Sequence, residues 1–179
     1  MQYNLCDNTV PINFALIRRT DLLRSLLDGR GAWTGAVQAE CEDSIATGLY
    51  PGLEEVPGLI AHTWIADDGE QAQARRIRRE IRRPDEPFLK SYGEAESLAV
   101  FTNRGLKGVF LTDDRGARRY VEDRALTVAV VSTAELLAIA VNLKLLRAHE
   151  GAEYIVTLMK AQRGVRLDDY EAALENEAF

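Results

Sequence analysis

The sequence predicts an α/β protein whose sheet strands run parallel. Short apolar runs, such as 108–112 and 126–131, alternate with segments of helical periodicity. These runs are apolar at almost every position, which is typical of strands that helices cover on both faces. Gly and Pro separate the segments, for example at 51–52 and 57–58. We therefore expect helices on both sides of a parallel sheet.

Length and composition are those of one globular domain. The chain has 179 residues, 46% of them hydrophobic, and can bury about 70% of its unfolded surface without cross-links. The net charge of −6 disfavours nucleic-acid binding over the whole surface. Cys6 and Cys41 are too few for a disulfide framework or a zinc site, so we expect buried free thiols. Because neither a signal-peptide pattern nor a long apolar run is present, we expect a cytoplasmic protein without membrane contact.

The first part of the chain alternates between strands and helices. The expected elements are a strand ending at Asp7, a helix capped by Thr9, a helix over 21–27, a brief strand within 31–37 and a helix over 34–48. Residues 59–65 are apolar enough for either a strand or a buried helical turn, and the sequence leaves both open.

An amphipathic helix is expected over 69–83, with Ala74, Ile77 and Ile81 on its apolar side. Its arginines are expected on the opposite side: Arg75, Arg76, Arg78, Arg79, Arg82 and Arg83. Such a face either binds phosphates, or is a solvated surface with Glu70 and Glu80 as partners, or is covered by another protein.

The remaining elements continue the α/β pattern. They are a loop over 84–92, a helix over 93–105, a strand over 108–112, a helix over 115–123, a strand over 126–131 and helices over 133–147, 151–163 and 168–178, the last capped by Asp168. The carboxyl ends of parallel strands meet at one edge of a sheet, and ligands bind there in open α/β folds. Asp7 and the pair Asp113-Asp114 each follow a strand, so we expect them to lie close together.

Three further acids belong to the same candidate site: Glu40, Glu94 and Glu96. Two unit charges about 5 Å apart repel by roughly 3 kcal/mol at an effective dielectric of 20, and a cation relieves that cost. Oxygen ligands select hard cations such as Mg²⁺ or Mn²⁺. Each acid also has an ordinary structural explanation, such as an Asx turn, a helix-dipole interaction or an exposed helix face. The prediction of a metal site therefore depends on the whole set.

Four segments, in order, resemble the acidic motifs of PIN-domain proteins, a family that includes the VapC-type toxin ribonucleases. They are Leu5-Cys6-Asp7-Asn8-Thr9-Val10, Val37-Gln38-Ala39-Glu40, Gly93-Glu94-Ala95-Glu96-Ser97-Leu98-Ala99 and Leu111-Thr112-Asp113-Asp114-Arg115-Gly116-Ala117-Arg118. The Gly-Glu-x-Glu and Thr-Asp-Asp segments are characteristic of one subgroup. The resemblance covers residues 1 to about 135.

The resemblance implies a three-layer α/β/α sandwich with a central parallel sheet, formed by a nuclease domain over 1–148. Residues 149–179 are expected to form a C-terminal helical extension. Carried over by position, the four catalytic acids are Asp7, Glu40, Glu96 and Asp114. Glu94 could share the role of Glu96, Asp113 adjoins the fourth acid, and Thr9 and Thr112 are supporting hydroxyls. The third acid is Glu rather than the commoner Asp, which is a departure from the family pattern.

The implied activity is Mg²⁺- or Mn²⁺-dependent endoribonuclease cleavage by the toxin of a toxin–antitoxin pair. The expected partners are RNA, an antitoxin protein and a second copy of the chain in a dimer. RNA phosphates are assigned to Arg75, Arg76, Arg79, Arg82 and Arg83. No catalytic histidine is needed, so His62 and His149 are expected to be surface or packing residues.

The alternative is a catalytically silent PIN-like module that binds RNA or protein. A phospho-acceptor receiver domain also needs acids at strand ends, but its acidic pair and later lysine do not occur where that fold requires them. The number of metal ions, the RNA target and the role of the C-terminal helices stay open at this stage.

Overall fold

The computed structural model describes residues 2–82 and 91–176. The strands are β1 (Tyr3–Cys6), β2 (Gly31–Thr34), β3 (Ile60–Trp64), β4 (Gly108–Leu111) and β5 (Ala129–Val131). The helices are α1 (Thr9–Leu16), α2 (Thr20–Leu27), α3 (Gly35–Ala46), α4 (Asp68–Ile81), α5 (Tyr92–Asn103), α6 (Arg115–Asp123), α7 (Thr133–Asn142), α8 (Ala148–Lys160) and α9 (Leu167–Glu175), with a 3-10 helix at Leu53–Leu59.

Within the described ranges these strands form one sheet in the order β3-β2-β1-β4-β5, and every pairing is parallel. β1 lies at the centre, where the direction of strand succession reverses between β2 and β4. Such a reversal opens a crevice at the carboxyl ends of the central strands. Asp7 therefore follows the strand that borders the crevice, and Thr112 follows its neighbour.

The two faces of the sheet pack into two hydrophobic clusters. Leu5 and Phe110 belong to the cluster formed with α4, α5 and α6, whereas Cys6 and Leu111 belong to the cluster on the other face. Successive side chains of a strand point to opposite faces, which explains this division. The structure thus confirms the α/β class and the three-layer arrangement.

The C-terminal helices pack on the cluster that contains α1, α2 and α7. Ile155, Leu158 and Tyr170 are buried there, and the Tyr170 hydroxyl donates a 2.8 Å hydrogen bond to the Ala148 carbonyl. A Cβ at Gly151 would lie 2.2 Å from the Tyr170 hydroxyl, so only glycine permits this approach of α8 and α9. The division into a nuclease domain and a separate extension stays a prediction.

Several boundaries differ from the sequence-based expectation. Residues 59–65, for which the sequence allowed either a strand or a helical turn, contain the strand β3. β5 is shorter than the apolar run 126–131. α7 ends at Asn142 rather than near 147, because Lys144 takes a left-handed conformation (φ 61°) and its N–H and that of Leu145 bond back to the last turn.

Two expected helix caps are wrong. Thr9 lies inside the first turn of α1, which Asn8 precedes, and its hydroxyl bonds to Asp7 instead. Asp168 lies inside the first turn of α9, whose preceding residue is Arg166.

The helix expected over 69–83 is α4, with two corrections. Arg78, expected on the polar side, is buried, since α4 packs against both α5 and α6. α4 ends at Ile81, and the expected partners of its arginines are bound elsewhere: Glu70 pairs with Arg104 and Glu80 with Arg124. Arg83 and most of the loop expected over 84–92 lie outside the described residues.

The expectations for the cysteines and the histidines are confirmed. Cys6 and Cys41 are buried and free. His62 and His149 are both exposed, and His62 contacts the rings of Tyr3 and Trp64. Among the residues that the structure describes, no helix is both long and apolar enough to span a bilayer.

Candidate active site

Asp7 lies at the end of the central strand and is 1% exposed. Its Oδ2 accepts hydrogen bonds from the Thr9 hydroxyl (2.5 Å), the Thr9 backbone N–H (3.3 Å) and the Thr112 hydroxyl (3.2 Å). Burial raises the pKa of Asp7 to about 6, although the Thr9 hydrogen bonds oppose the rise and the charge of Asp114 adds to it. The side chain is therefore oriented by both hydroxyls that were predicted to support it.

Two glutamates share a cleft of about 360 Å³ with Asp7. Burial, and then the charge of Asp7, raises the pKa of Glu40 on α3 to about 7. Glu94, in the first turn of α5, has a pKa well above its usual value because of burial and then the charges of Asp7, Asp114 and Glu40. Carboxylates from three distant segments thus line one cleft at the crevice.

Gly93 makes room for Glu40 beside α5. A Cβ at this position would lie 3.0 Å from both carboxylate oxygens of Glu40 and 3.0 Å from Val37 Cγ2. Such distances are tighter than ordinary side-chain contacts. The glycine before Glu94 therefore allows the Glu40 carboxylate to approach the start of α5.

Glu96 has a different environment from Glu94. Its Oε1 accepts a 2.9 Å hydrogen bond from the Ala36 backbone N–H and so caps the start of α3, where the Thr34 side chain provides no cap. Its charge still raises the pKa of Glu40. Glu94 lines the cleft with Asp7 and Glu40, whereas the Glu96 carboxylate binds the start of α3.

Asp114 is linked to Asp7 through Thr112. The Asp114 N–H donates to the Thr112 hydroxyl at 3.1 Å, and that hydroxyl donates to Asp7. The Asp114 carboxylate also caps α6, accepting a 2.6 Å bond from the Ala117 N–H. The ends of β1 and β4 are thus joined by one short hydrogen-bonded path.

Asp113 is turned toward α1 and α7. Its Oδ1 accepts from the Thr133 N–H at 2.8 Å, and its Oδ2 accepts from the Thr133 hydroxyl at 2.6 Å and from Asn13 Nδ2 at 2.8 Å. Burial raises its pKa, while the Thr133 and Asn13 bonds and the charge of Arg163 oppose the rise. The bonds of Asp113 hold α1, β4 and α7 together.

Sequence reasoning missed two residues beside the acids, Asn13 and Arg163. Asn13 is 1% exposed, and its Oδ1 accepts a 2.7 Å bond from Arg163 Nε. A single amide within the apolar run Val10–Ala15 was a usable signal for Asn13. Arg163 had none, because it lies in a polar turn far along the chain.

Three of the arginines assigned to RNA lie on α4: Arg75, Arg76 and Arg79. Arg75, Arg76 and Arg79 are exposed, and within the described part of the chain no carboxylate forms an ion pair with them. Arg82 is half-buried and follows the end of α4.

The acidic side chains suit a hard divalent cation in their chemistry. Carboxylates and hydroxyls supply only oxygen donors, and the raised pKa values mark a crowding of negative charge that a cation would relieve. As these side chains are placed, however, no group of three His, Cys, Asp or Glu residues within 2–82 and 91–176 is arranged to hold an ion. Binding of an ion would therefore require these side chains to rearrange.

The sheet order and the acidic crevice define a doubly wound α/β protein with a carboxylate site at its switch point. A family model described as DUF3368, PIN domain, matches residues 4–176, and the chain belongs to this PIN-domain family. PIN domains are generally nucleases and typically use divalent metals. The match includes α8 and α9. No curated protein and no solved structure gives a match.

Proposed function

We propose that this protein is a Mg²⁺- or Mn²⁺-dependent endoribonuclease whose active site is the acidic cleft at the ends of β1 and β4. The observation that carries the proposal is the cleft that Asp7, Glu40 and Glu94 line together, close enough to Asp114 for its charge to raise the pKa of Asp7 and of Glu94. These residues come from four separate segments, and a fold gains nothing in stability from crowding them. Unfavourable charge clusters of this kind concentrate at functional sites.

Asp7, Glu40, Asp114 and one of the two α5 glutamates would hold the cation. We assign Glu94 to that role, because the Glu96 carboxylate caps α3, and we keep Glu96 as the alternative suggested by the family motif. When bound, the cation lowers the pKa of a water molecule and offsets charge on the phosphodiester.

The chain's own groups orient these ligands. Thr9 and Thr112 both donate to the same oxygen of Asp7, which limits rotation of that carboxylate. The Thr112 hydroxyl also accepts a hydrogen bond from the Asp114 backbone N–H, which limits movement of Asp7 and Asp114 relative to each other. Asp113 is assigned a positioning role, since both of its oxygens already bind α1 or α7.

The wider biological role is also part of the proposal. The resemblance to VapC-type toxins supports an RNA substrate, an antitoxin partner, a homodimer and a cytoplasmic location. The exposed arginines of α4, together with Arg82 and Arg83, would bind RNA phosphates. None of these roles requires a change in the cleft itself.

Cleavage of single-stranded RNA with Mg²⁺ or Mn²⁺ tests the proposal, using wild type and Asp7→Asn. Asp123→Asn is the matched control, because Asp123 is an exposed acid at the end of α6. We expect Asp7→Asn to lose cleavage while circular dichroism and thermal unfolding show a folded chain. Full cleavage by folded Asp7→Asn would remove Asp7 from the mechanism.

A catalytically silent RNA- or protein-binding module is the second candidate. The observation in its favour is that Asp114 and Glu96 act as helix caps, while no three described acids are arranged around a common point. RNA binding without cleavage, in the presence of Mg²⁺, Mn²⁺ or neither, would support this candidate over the nuclease.

A further inference from the structure

The turn after α8 brings a cation into the acidic cleft. Two residues after the end of α8, Gln162 takes a left-handed conformation (φ 56°), and the N–H groups of Gln162 and Arg163 bond back to the carbonyls of Met159 and Leu158. A left-handed non-glycine residue costs about 1 kcal/mol, so this turn is maintained by its surroundings. Its backbone directs Arg163 toward the cleft that also contains Asp7, Glu40 and Glu94.

A buried network fixes one edge of the Arg163 guanidinium. Arg163 Nε donates to Asn13 Oδ1 at 2.7 Å. The Asn13 amide in turn donates to Asp113 Oδ2 at 2.8 Å and to the Thr133 hydroxyl at 3.0 Å. Asn13 is buried, and its amide group is held by two further hydrogen bonds. Its Oδ1 is therefore a fixed acceptor for Arg163 Nε.

The other edge of the guanidinium is available for a ligand. Arg163 lines a cleft with three acidic residues, yet within the described chain no carboxylate lies at ion-pair distance from it. Its two Nη groups make no hydrogen bond to any described residue. A guanidinium held through Nε presents these Nη donors side by side, which is the arrangement that binds a phosphate in bidentate fashion.

We propose that Arg163 is a catalytic residue that binds the scissile phosphate of the RNA substrate. The inference rests on the proposed nuclease function and assigns a role to the C-terminal segment in it. An acidic cleft repels a phosphodiester, and a fixed guanidinium offsets this repulsion. Donors directed at the non-bridging oxygens act most strongly as negative charge develops there during phosphoryl transfer.

A purely structural role for Arg163 predicts different behaviour. In that role the residue would only tie α8 to α1 through Asn13, and its removal would lower stability. Contact with a phosphate instead adds a counterion-release contribution to the salt dependence of binding, about 0.7 in the log–log slope for single-stranded nucleic acid. Activity and salt dependence together separate the two roles.

The experiment compares wild type, Arg163→Gln, Arg163→Lys and the charge-matched control Lys160→Gln, all in the full-length chain. Lys160 is an exposed cation three residues earlier at the end of α8. The measurements are kcat and KM for a single-stranded RNA at several KCl concentrations and fixed Mg²⁺, and thermal unfolding midpoints. We expect Arg163→Gln to lower kcat/KM about a hundredfold, mainly through kcat, and to lower the salt slope by about 0.7.

The remaining variants make every outcome informative. Arg163→Lys keeps the charge without the fork and is expected to recover part of the activity, including when Arg163→Gln fails to fold. Lys160→Gln should match wild type. Equal cleavage by wild type and Arg163→Gln, or a loss with an unchanged salt slope, overturns the role of Arg163 and leaves the nuclease intact. A wild type that cleaves no RNA overturns the proposed function and this inference with it.

Discussion

The start of α5 and the end of β4 each carry two acidic residues, and the structure treats the members of each pair differently. At α5, Glu94 faces the other acids of the cleft, whereas Glu96 caps α3. At β4, Asp114 connects to Asp7 through Thr112, whereas Asp113 binds Thr133 and Asn13. In each pair, one carboxylate is near the other acids of the cleft and its neighbour binds groups of other elements, so adjacent acids have different surroundings.

The two α5 glutamates should give the largest contrast. We expect Glu94→Gln to lower cleavage by at least about a hundredfold. Loss of a metal ligand should reduce activity more than loss of a residue that only hydrogen-bonds to a ligand. Glu94→Gln should also raise the thermal midpoint without metal, because it removes one of the crowded charges. Glu96→Gln should instead lower the free energy of unfolding by about 1 kcal/mol, because a charged cap becomes neutral. RNA cleavage and thermal unfolding of both variants check this.

Reversed behaviour of the two variants would contradict the assignment. Glu96→Gln would then lose cleavage while its thermal stability stayed the same or rose. In that case the family motif would have identified the third acid correctly. Glu42→Gln, at an exposed position of α3, serves as the control for a change of charge.

The two β4 aspartates should differ in stability more than in activity. Asp113→Asn leaves buried donors without their charged acceptor, and we expect it to lower the free energy of unfolding by about 2 kcal/mol. Asp114→Asn should be nearly neutral for stability, since Asn also caps helices well, but should lower cleavage at least tenfold. Chemical denaturation and initial cleavage rates distinguish them, and a stable but inactive Asp113→Asn would refute its positioning role.

Gly93→Ala tests how closely Glu40 must approach α5. The added Cβ would meet the Glu40 carboxylate at 3.0 Å, so the carboxylate must shift by a few tenths of an ångström. We expect cleavage to fall several-fold at nearly unchanged stability, since alanine favours a helix. Gly58→Ala, whose Cβ would meet nothing within 4 Å, is the matched control. Equal activity of the two variants would show that Glu40 tolerates the shift.

The pH dependence of stability tests the crowding of the acids without a substitution. The folded-state pKa values of Asp7 (about 6) and Glu40 (about 7) lie above their ordinary values of 3.8 and 4.5. The folded chain therefore binds more protons than the unfolded chain between these limits. These two groups accordingly make the metal-free protein more stable as pH falls from 8 to 5.

Thermal unfolding without metal measures this effect, which we expect to be about 10 °C across that range for these groups. Glu40→Gln should remove part of the gain. Added Mg²⁺ or Mn²⁺ should stabilise the protein more at pH 8 than at pH 5.5, because a cation competes with protons for the same oxygens. If the thermal unfolding midpoint depended on pH equally in wild type and Glu40→Gln, this result would contradict the raised pKa of Glu40.

Local patterns were sufficient where a short stretch decides its own structure. The apolar runs and their spacing predicted the order of strands and helices, and strand direction placed Asp7 and Asp114 at one edge. The same patterns did not decide between a strand and a helical turn for the seven residues 59–65, and they placed Arg78 on the wrong side of its helix. A helical wheel describes one helix alone, whereas α4 packs against two neighbours.

The sequence by itself determined the class of fold, the family motifs and the set of acids available to the cleft. Only the tertiary structure decided which groups each acid contacts, because those contacts join residues far apart in the chain. Asp113 meets Asn13 one hundred residues away, and Arg163 meets the same amide across 150 residues. No local periodicity encodes such contacts, since they arise only when the two faces of the sheet and the helix ends come together.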